Sequence, residues 1–513
     1  MQNNNIENED PLIDFIDKEM NKVTSEVVIE ALDNEEDGDA ELFKLIFRNK
    51  FVFSTSTGSW LQWEGSHWEA NSTINHIVRA GRSAVIGLYK REIFAINKRI
   101  KTSAKDAQPD RVKIINQKQP TPDEELRNEL IKRVKALQKG VRYKSVIERA
   151  SDSANGLFID GSNLDNNPYL LPCANGTINL LTGDFRESRQ EDWNTKISPI
   201  EWKGLLKQAK LWEKTLLEIF NNDQDVVDCF QRVIGFSIIG EVREAKAIIL
   251  SGKGRNGKTL IMETIKKILG DLAKPIPAEM LLTQYARNPS APSPDVMQLK
   301  GLRIAIASET QENRHLDEAR IKWFTGSDSL TGRNPHDTHS VIFQPSHTLF
   351  LLTNNKPRVN PDDFAIWERL LVFPFELSFV DREPTKPDER RANKTLKDDL
   401  LQESSGILAW LVRGCLEWQK QGINPPVKLK QEVDLYQREQ DYLAEFIDDC
   451  CNVGDDSYTV AGSVIYKKFE EWWIENKSNN VPQIQTFGKK LGKRFNKKQT
   501  NKANEYQGIT LKN

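Results

Sequence analysis

The sequence predicts a multidomain α/β protein: a helical N-terminal domain, a phosphate-loop core on a parallel sheet, and a small basic domain at the C-terminal end. Three observations predict it. Between about 245 and 375, short apolar runs alternate with helical stretches, the pattern of a parallel sheet. Within that region "AIILSGKGRNGKTLIMETIKKIL", starting at Ala247, passes from an apolar strand through a loop of glycines and cations into an amphipathic helix. Outside it, residues 74–150 alternate apolar and basic side chains at helical spacing, and the last stretch, 440–513, ends strongly basic.

In chain order, residues 1–40 read as an acidic flexible tail, with at most a short helix near "PLIDFIDKEMNKV". Residues 41–204 read as the mainly helical N-terminal domain. It carries two short strands around Gly58 and Gly65, a linker-like "AQPDRVKIINQKQPTPDEE", and a hairpin signalled by Asn175-Gly176 and Thr182-Gly183. Residues 205–425 hold the core, entered through a helical stretch over 205–240. "NPPVK" at 424–428 marks a boundary, and 426–513 is expected to be a linker and the C-terminal domain. Trp60, Trp63 and Trp68 are expected to pack a small sheet rather than to stack on bases, and Trp472 and Trp473 to lie in a core.

Bulk composition excludes several classes. No apolar run reaches the roughly 20 residues that span a bilayer, so no membrane partner is expected. The start, "MQNNNIENEDPLIDF", carries acid where a secretory leader carries base. Cys173, Cys229, Cys415, Cys450 and Cys451 show no CxxC spacing, which fits a reducing cytoplasm, here that of a host cell, and argues against structural zinc. The net charge of −2 hides an asymmetry: residues 1–40 carry 13 acids and 2 bases, the remainder 61 acids and 70 bases. A mildly basic body is compatible with a polyanionic partner and equally with a solvated surface.

Gly252-Lys253-Gly254-Arg255-Asn256-Gly257-Lys258-Thr259 satisfies G-x-x-x-x-G-K-[ST] in the strand–loop–helix setting that motif requires. Glycines let several N–H groups converge on phosphates at the helix's positive end. Lys258 can reach the β- and γ-phosphates, and the Thr259 hydroxyl can ligate Mg²⁺. "GLRIAIASETQEN" (301–313) is a strand ending in Ser308-Glu309, and a carboxylate there can polarise water or hold the hydrated metal. "HTLFLLTNNKPRV" (347–359) is another, ending at Thr353-Asn354, where an amide can sense the γ-phosphate. Asn355-Lys356 lacks the aspartate of N-K-x-D, which disfavours guanine. Arg369, before the apolar run "LLVFPF", is a candidate to reach the nucleotide of an adjoining subunit, against the rival reading of a surface ion pair with Glu368.

In this order, "NGTINLLTGDFR", "DCFQRVIGFSIIGE", "SGKGRNGKT", "GLRIAIASE", "LDEARIKWFTGSDSLTGR", "LLTNNKP" and "AIWERLLVFPF" resemble the superfamily 3 helicases. The similarity is to the helicase portion of phage and plasmid primase-helicases, related to the poxvirus NTPase-primase, and covers roughly 45–513. It implies an AAA+-like ATPase core assembled as a ring, hexameric by resemblance, using ATP and Mg²⁺ at subunit interfaces. It places Lys258 and Thr259 in the Walker A motif, Glu309 in Walker B with Thr259 at the metal, Asn354 as the sensor of motif C and Arg369 as the finger given in trans. It also implies 3′ to 5′ movement. The departure is Ser308 where many relatives have a second acid.

"TGSDSLTGRNPHDTHSVIF" resembles the segment bearing the family's DNA-contacting hairpin, with Lys322, Arg333, His336 and His339 as candidate phosphate contacts. The C-terminal residues read helix, helix and basic hairpin, as in a winged helix, with Lys489, Lys490, Lys493, Arg494, Lys497 and Lys498 toward a DNA backbone. "DGD" at 37–39, without a following Ser-x-His, is not read as a primase site, so priming is expected from a separate protein. The expectation is therefore an ATP-driven replicative DNA helicase of a mobile element or virus, acting on single-stranded and forked DNA. The alternatives are an ATP-regulated origin-binding initiator and a packaging motor; the packaging enzyme's nuclease carboxylates are not found.

Overall fold

A strand with apolar residues at every position leaves no face for water and belongs inside a parallel sheet covered on both sides. The runs "AIIL" and "LFLL" have that character and are buried along their whole length. The computed structural model describes residues 11–70, 74–106, 119–152, 155–283, 293–309, 314–333, 335, 340–477, 481–499 and 504–512. The chain divides into two compact units, Met1–Gly204 with Ile268–Leu272, and Leu205–Lys267 with Ala273–Asn513.

The second unit is built on five parallel strands: β1 (Ala247–Ser251), β2 (Ala273–Ile276), β3 (Ile304–Glu309), β4 (Thr348–Thr353) and β5 (Leu370–Pro374). Their order across the sheet is β5-β1-β4-β3-β2. Ser251 lies opposite both Thr353 and Pro374, and Glu309 opposite Thr353. Four carboxyl ends therefore fall along one edge, and open α/β sheets hold their ligands outside such an edge.

Helix Gln224–Ser237 packs Phe230 against Phe373 of β5, ring centroids 5.3 Å apart. Helix Ser404–Gln421 crosses it backbone to backbone, since a Cβ at Gly414 would stand 2.2 Å from the Gln231 carbonyl oxygen. Gly414→Ala should cost roughly 2–3 kcal/mol despite alanine's better helix propensity, because the helices must part. A urea midpoint unchanged from the parent chain would contradict that packing.

The expected boundary at 425/426 falls later. Helix Val427–Gln440 belongs to the core: Tyr436 is fully buried, meets the Trp367 ring edge-on at 5.1 Å, and donates its hydroxyl to the Pro357 carbonyl. Gly422, at φ +68°, ends one helix and Pro426 caps the start of the next, so the prolines here mark a helix start rather than a domain boundary. The C-terminal module begins near Asp441. Helices Tyr442–Cys450, Gly462–Asn476 and Ile484–Arg494 enclose Phe446, Phe469, Trp472, Trp473, Phe487 and Leu491, with strands Lys497–Gln499 and Asn504–Gln507 paired antiparallel beside them.

In the first unit a four-stranded sheet orders Trp68–Glu69, Ser59–Trp63, Phe51–Ser54 and Phe158–Ile159. Trp60 and Trp68 are buried in it, as expected. The acidic flexible tail is corrected over its described part. Residues 11–40 form helices Pro11–Met20 and Ser25–Asp33 and the start of Glu35–Phe47, and Val28, Ala31, Leu32 and Ala40 join a core with Phe43, Phe47, Val85 and Leu130. The acid count obscured this because apolar residues recur between the acids at helical spacing. One acid is itself interior: Asp39 is fully buried and accepts hydrogen bonds from Arg133 (3.0 Å), Arg142 (3.1 Å) and Tyr89 (2.7 Å). The second acid of "DGD" is thereby committed to an internal ion network.

Candidate active site

β1 ends at Ser251, and the next six residues turn the chain into helix Lys258–Leu269. Gly254, Arg255 and Gly257 take positive φ, which coils the loop over the edge of the sheet. Gly257 (φ +90°) is constrained twice, because a Cβ there would also press within 2.6 Å of Ile219 Cδ1. The loop is fastened to its neighbours: Gly252 N donates to Thr353 O (3.2 Å), Phe375 N to Ser251 O (2.7 Å) and Phe379 N to Arg255 O (2.7 Å).

Lys258 is the first residue of the helix and is 5 % exposed. Its Nζ donates to Gly252 O (2.5 Å), Asn256 Oδ1 (3.1 Å) and Asn354 Oδ1 (3.4 Å). All three acceptors are neutral. Burial without a described counter-charge lowers the ammonium's pKa to about 8. Asn256, itself buried, donates from Nδ2 to Phe375 O (3.4 Å) and so ties the lysine to the end of β5.

The motif residues assemble along this edge. Asn354 meets Lys258 directly. Glu309 closes β3 opposite Thr353, although its side chain lies outside the described residues. Thr259 is exposed and lines a cleft of about 370 Å³ with Glu263, Lys266, Glu279, Ile306 and Ser308. Among the described residues no group of three or more His, Cys, Asp or Glu could hold a metal alone. Glu263 and Glu279 were not legible as cleft residues, because neither belongs to a motif and only the sheet order brings β2 beside β3.

Arg369 lies at the opposite edge. Its carbonyl accepts from Ala247 N (2.8 Å), at the start of β1, about 15 Å from the loop by strand rise. Its Nη1 donates to Ala365 O (2.8 Å), and among the described residues its buried Nε has no hydrogen-bond partner.

The segment between the second and third motifs does form a hairpin, Leu330–Gly332 with Val341–Phe343. Arg333 follows its first strand, while His336 and His339 lie outside the described residues. Lys322, on helix Glu318–Phe324, pairs with Asp363 at 2.5 Å. In the C-terminal module Lys489 is exposed, Lys490 Nζ sits 4.4 Å over the Tyr442 ring, and Lys493 and Arg494 reach Asp362 at 3.4 and 3.8 Å.

Residues 40–221 match the family described as "D5 N terminal like". A candidate helicase of Acanthamoeba polyphaga mimivirus is 26% identical over 69% of this chain and 38% of its own. A candidate helicase of Frog virus 3 is 23% identical over 69% of this chain and 44% of its own. A candidate primase of African swine fever virus is 23% identical over 61% and 34%. The chain spans less than half the length of these curated relatives. The solved apo C-terminal region of NrS-1 aligns over 70% of this chain and 76% of its own at 16% identity, with a TM-score of 0.38, too low to define a shared fold. The protein is of a mixed α/β, multidomain class with a helical N-terminal region and a parallel-sheet core. Within that class the chain is similar to viral proteins named as helicases and primases and, over residues 40–221, to the family described as "D5 N terminal like".

Proposed function

We propose that the chain is an ATP-dependent DNA helicase subunit acting in replication, whose parallel-sheet edge binds Mg²⁺–ATP. The observation that carries the reading is Lys258, a buried ammonium held only by neutral described acceptors beside a loop of coiled backbone. A cation so placed lacks an anion, and a polyphosphate supplies one. Lys258 neutralises the β- and γ-phosphates, Thr259 offers its hydroxyl to Mg²⁺, Glu309 orients water, and Asn354 is positioned to exchange Lys258 for the γ-phosphate. The metal supplies charge neutralisation on the phosphates when bound. Arg369, remote from its own loop, serves the loop of a neighbouring copy, which requires a ring or other head-to-tail assembly.

The hairpin and the basic C-terminal helix, arranged with its strands as a winged helix, supply the DNA surface. The helicase names of the mimivirus and Frog virus 3 relatives support this reading. A strand-displacement assay on forked DNA tests it: ATP should drive release of the displaced strand, and a non-hydrolysable analogue should not. Binding to duplex DNA without displacement would favour the origin-binding initiator instead.

A further inference from the structure

Three of the cations assigned above to DNA are already engaged by two adjacent aspartates. Asp362 faces Lys493 Nζ at 3.4 Å and Arg494 Nη2 at 3.8 Å. Arg494 also reaches Asp441 at 2.5 Å, on the turn between the core's last helix and the C-terminal module. Asp363 takes Lys322 Nζ at 2.5 Å, a contact that holds its carboxyl below the usual range. Residues 490 and 494, one helical turn apart, thus face Tyr442 and Asp441, whereas Lys489 remains exposed.

The position of these aspartates gives the contact its meaning. They sit on the segment that joins Asn354 to Arg369, immediately before the short helix Phe364–Trp367. Their ion pairs are partly exposed, hence individually weak and screened by salt. A run of phosphates offers the same cations several acceptors at once and gains from released counterions.

We propose that Asp362 and Asp363 are internal stand-ins for nucleic-acid phosphates, holding the basic face of helix Ile484–Arg494 and Lys322 until a polyanion displaces them. Binding of nucleic acid then frees the segment between the sensor and the finger. The proposal rests on the DNA-binding reading above and adds an intramolecular competitor to it. Asp363 also caps the helix Phe364–Trp367 by accepting from Ile366 N (3.3 Å), so Asp362 is the cleaner position to test.

The test is the affinity of the full chain for a fluorescein-labelled oligothymidylate at low salt without nucleotide, so that loss of ATP turnover cannot affect it. Asp362→Asn should bind roughly five-fold tighter than the parent. The gain should vanish in a Lys493→Gln, Arg494→Gln background, where nothing is left to release. Equal affinity of Asp362→Asn and the parent, or the same gain in both backgrounds, overturns the competition while leaving the DNA surface standing. No binding by any of these chains would sink the DNA surface and this proposal with it.

Discussion

Lys258→Ala is expected to lower ATP turnover about a thousand-fold or more while the chain keeps its fold. The retained fold follows from the partners: the lysine's contacts are two side-chain oxygens and one carbonyl, and the loop's fastenings to Thr353 and Phe379 use backbone alone. Removing an ammonium that burial disfavours costs the empty protein little. The loss comes with the phosphates, which then meet no cation. The same residue sets a pH dependence. In the free site its pKa is lowered to about 8, whereas bound phosphates favour the charged form and raise it. Below about pH 8 the lysine is charged in both states and affinity is level. Above it, binding must first take up a proton, so affinity falls by up to about tenfold per pH unit. Titration calorimetry in buffers of different ionisation heat should show proton uptake above pH 8 in the parent. Uptake that persists in Lys258→Ala would assign the effect to another group.

Arg369→Ala is expected to leave nucleotide affinity within a few-fold of the parent and to lower turnover about a thousand-fold. Geometry separates the two effects. The arginine precedes the first residue of β5, and Leu370 pairs with Ala247 at the start of β1, so the whole strand length stands between it and its own loop. It cannot contribute to binding there. Its side chain makes one described hydrogen bond, to Ala365 O, and keeps a buried Nε without one. An arginine merely anchored in its own subunit predicts a different outcome, namely a lower melting temperature with unchanged turnover per folded protein.

The core was the legible part of the sequence. "AIIL", "IAIA" and "LFLL" are apolar at every position because both faces of a parallel sheet are covered, and each run gave its strand directly. The loop was legible because its glycines and lysine have fixed spacing. What joins distant segments was hidden. Nothing local in "PRVNPDDF" tells that Asp362 and Asp363 face cations from helices 41 and 131 positions away in the sequence. The N-terminal acids misled because charge counting ignores burial, and Asp39 is interior only because Arg133 and Arg142 arrive from helices much later in the chain. One missed signal was local. Thr121-Pro122-Asp123-Glu124, read as linker, is a capping box with proline at the first helical position, and it opens helix Pro122–Leu137.

Mixing two inactive variants tests most directly whether a second copy of the chain completes the nucleotide site. Lys258→Ala protomers keep Arg369, and Arg369→Ala protomers keep Lys258. Co-assembled in equal amounts, they should restore intact pairings at about a quarter of interfaces, with ATP turnover rising toward that fraction of the parent rate. Turnover no higher than the sum of the separate variants, in assemblies shown to contain both, would contradict it.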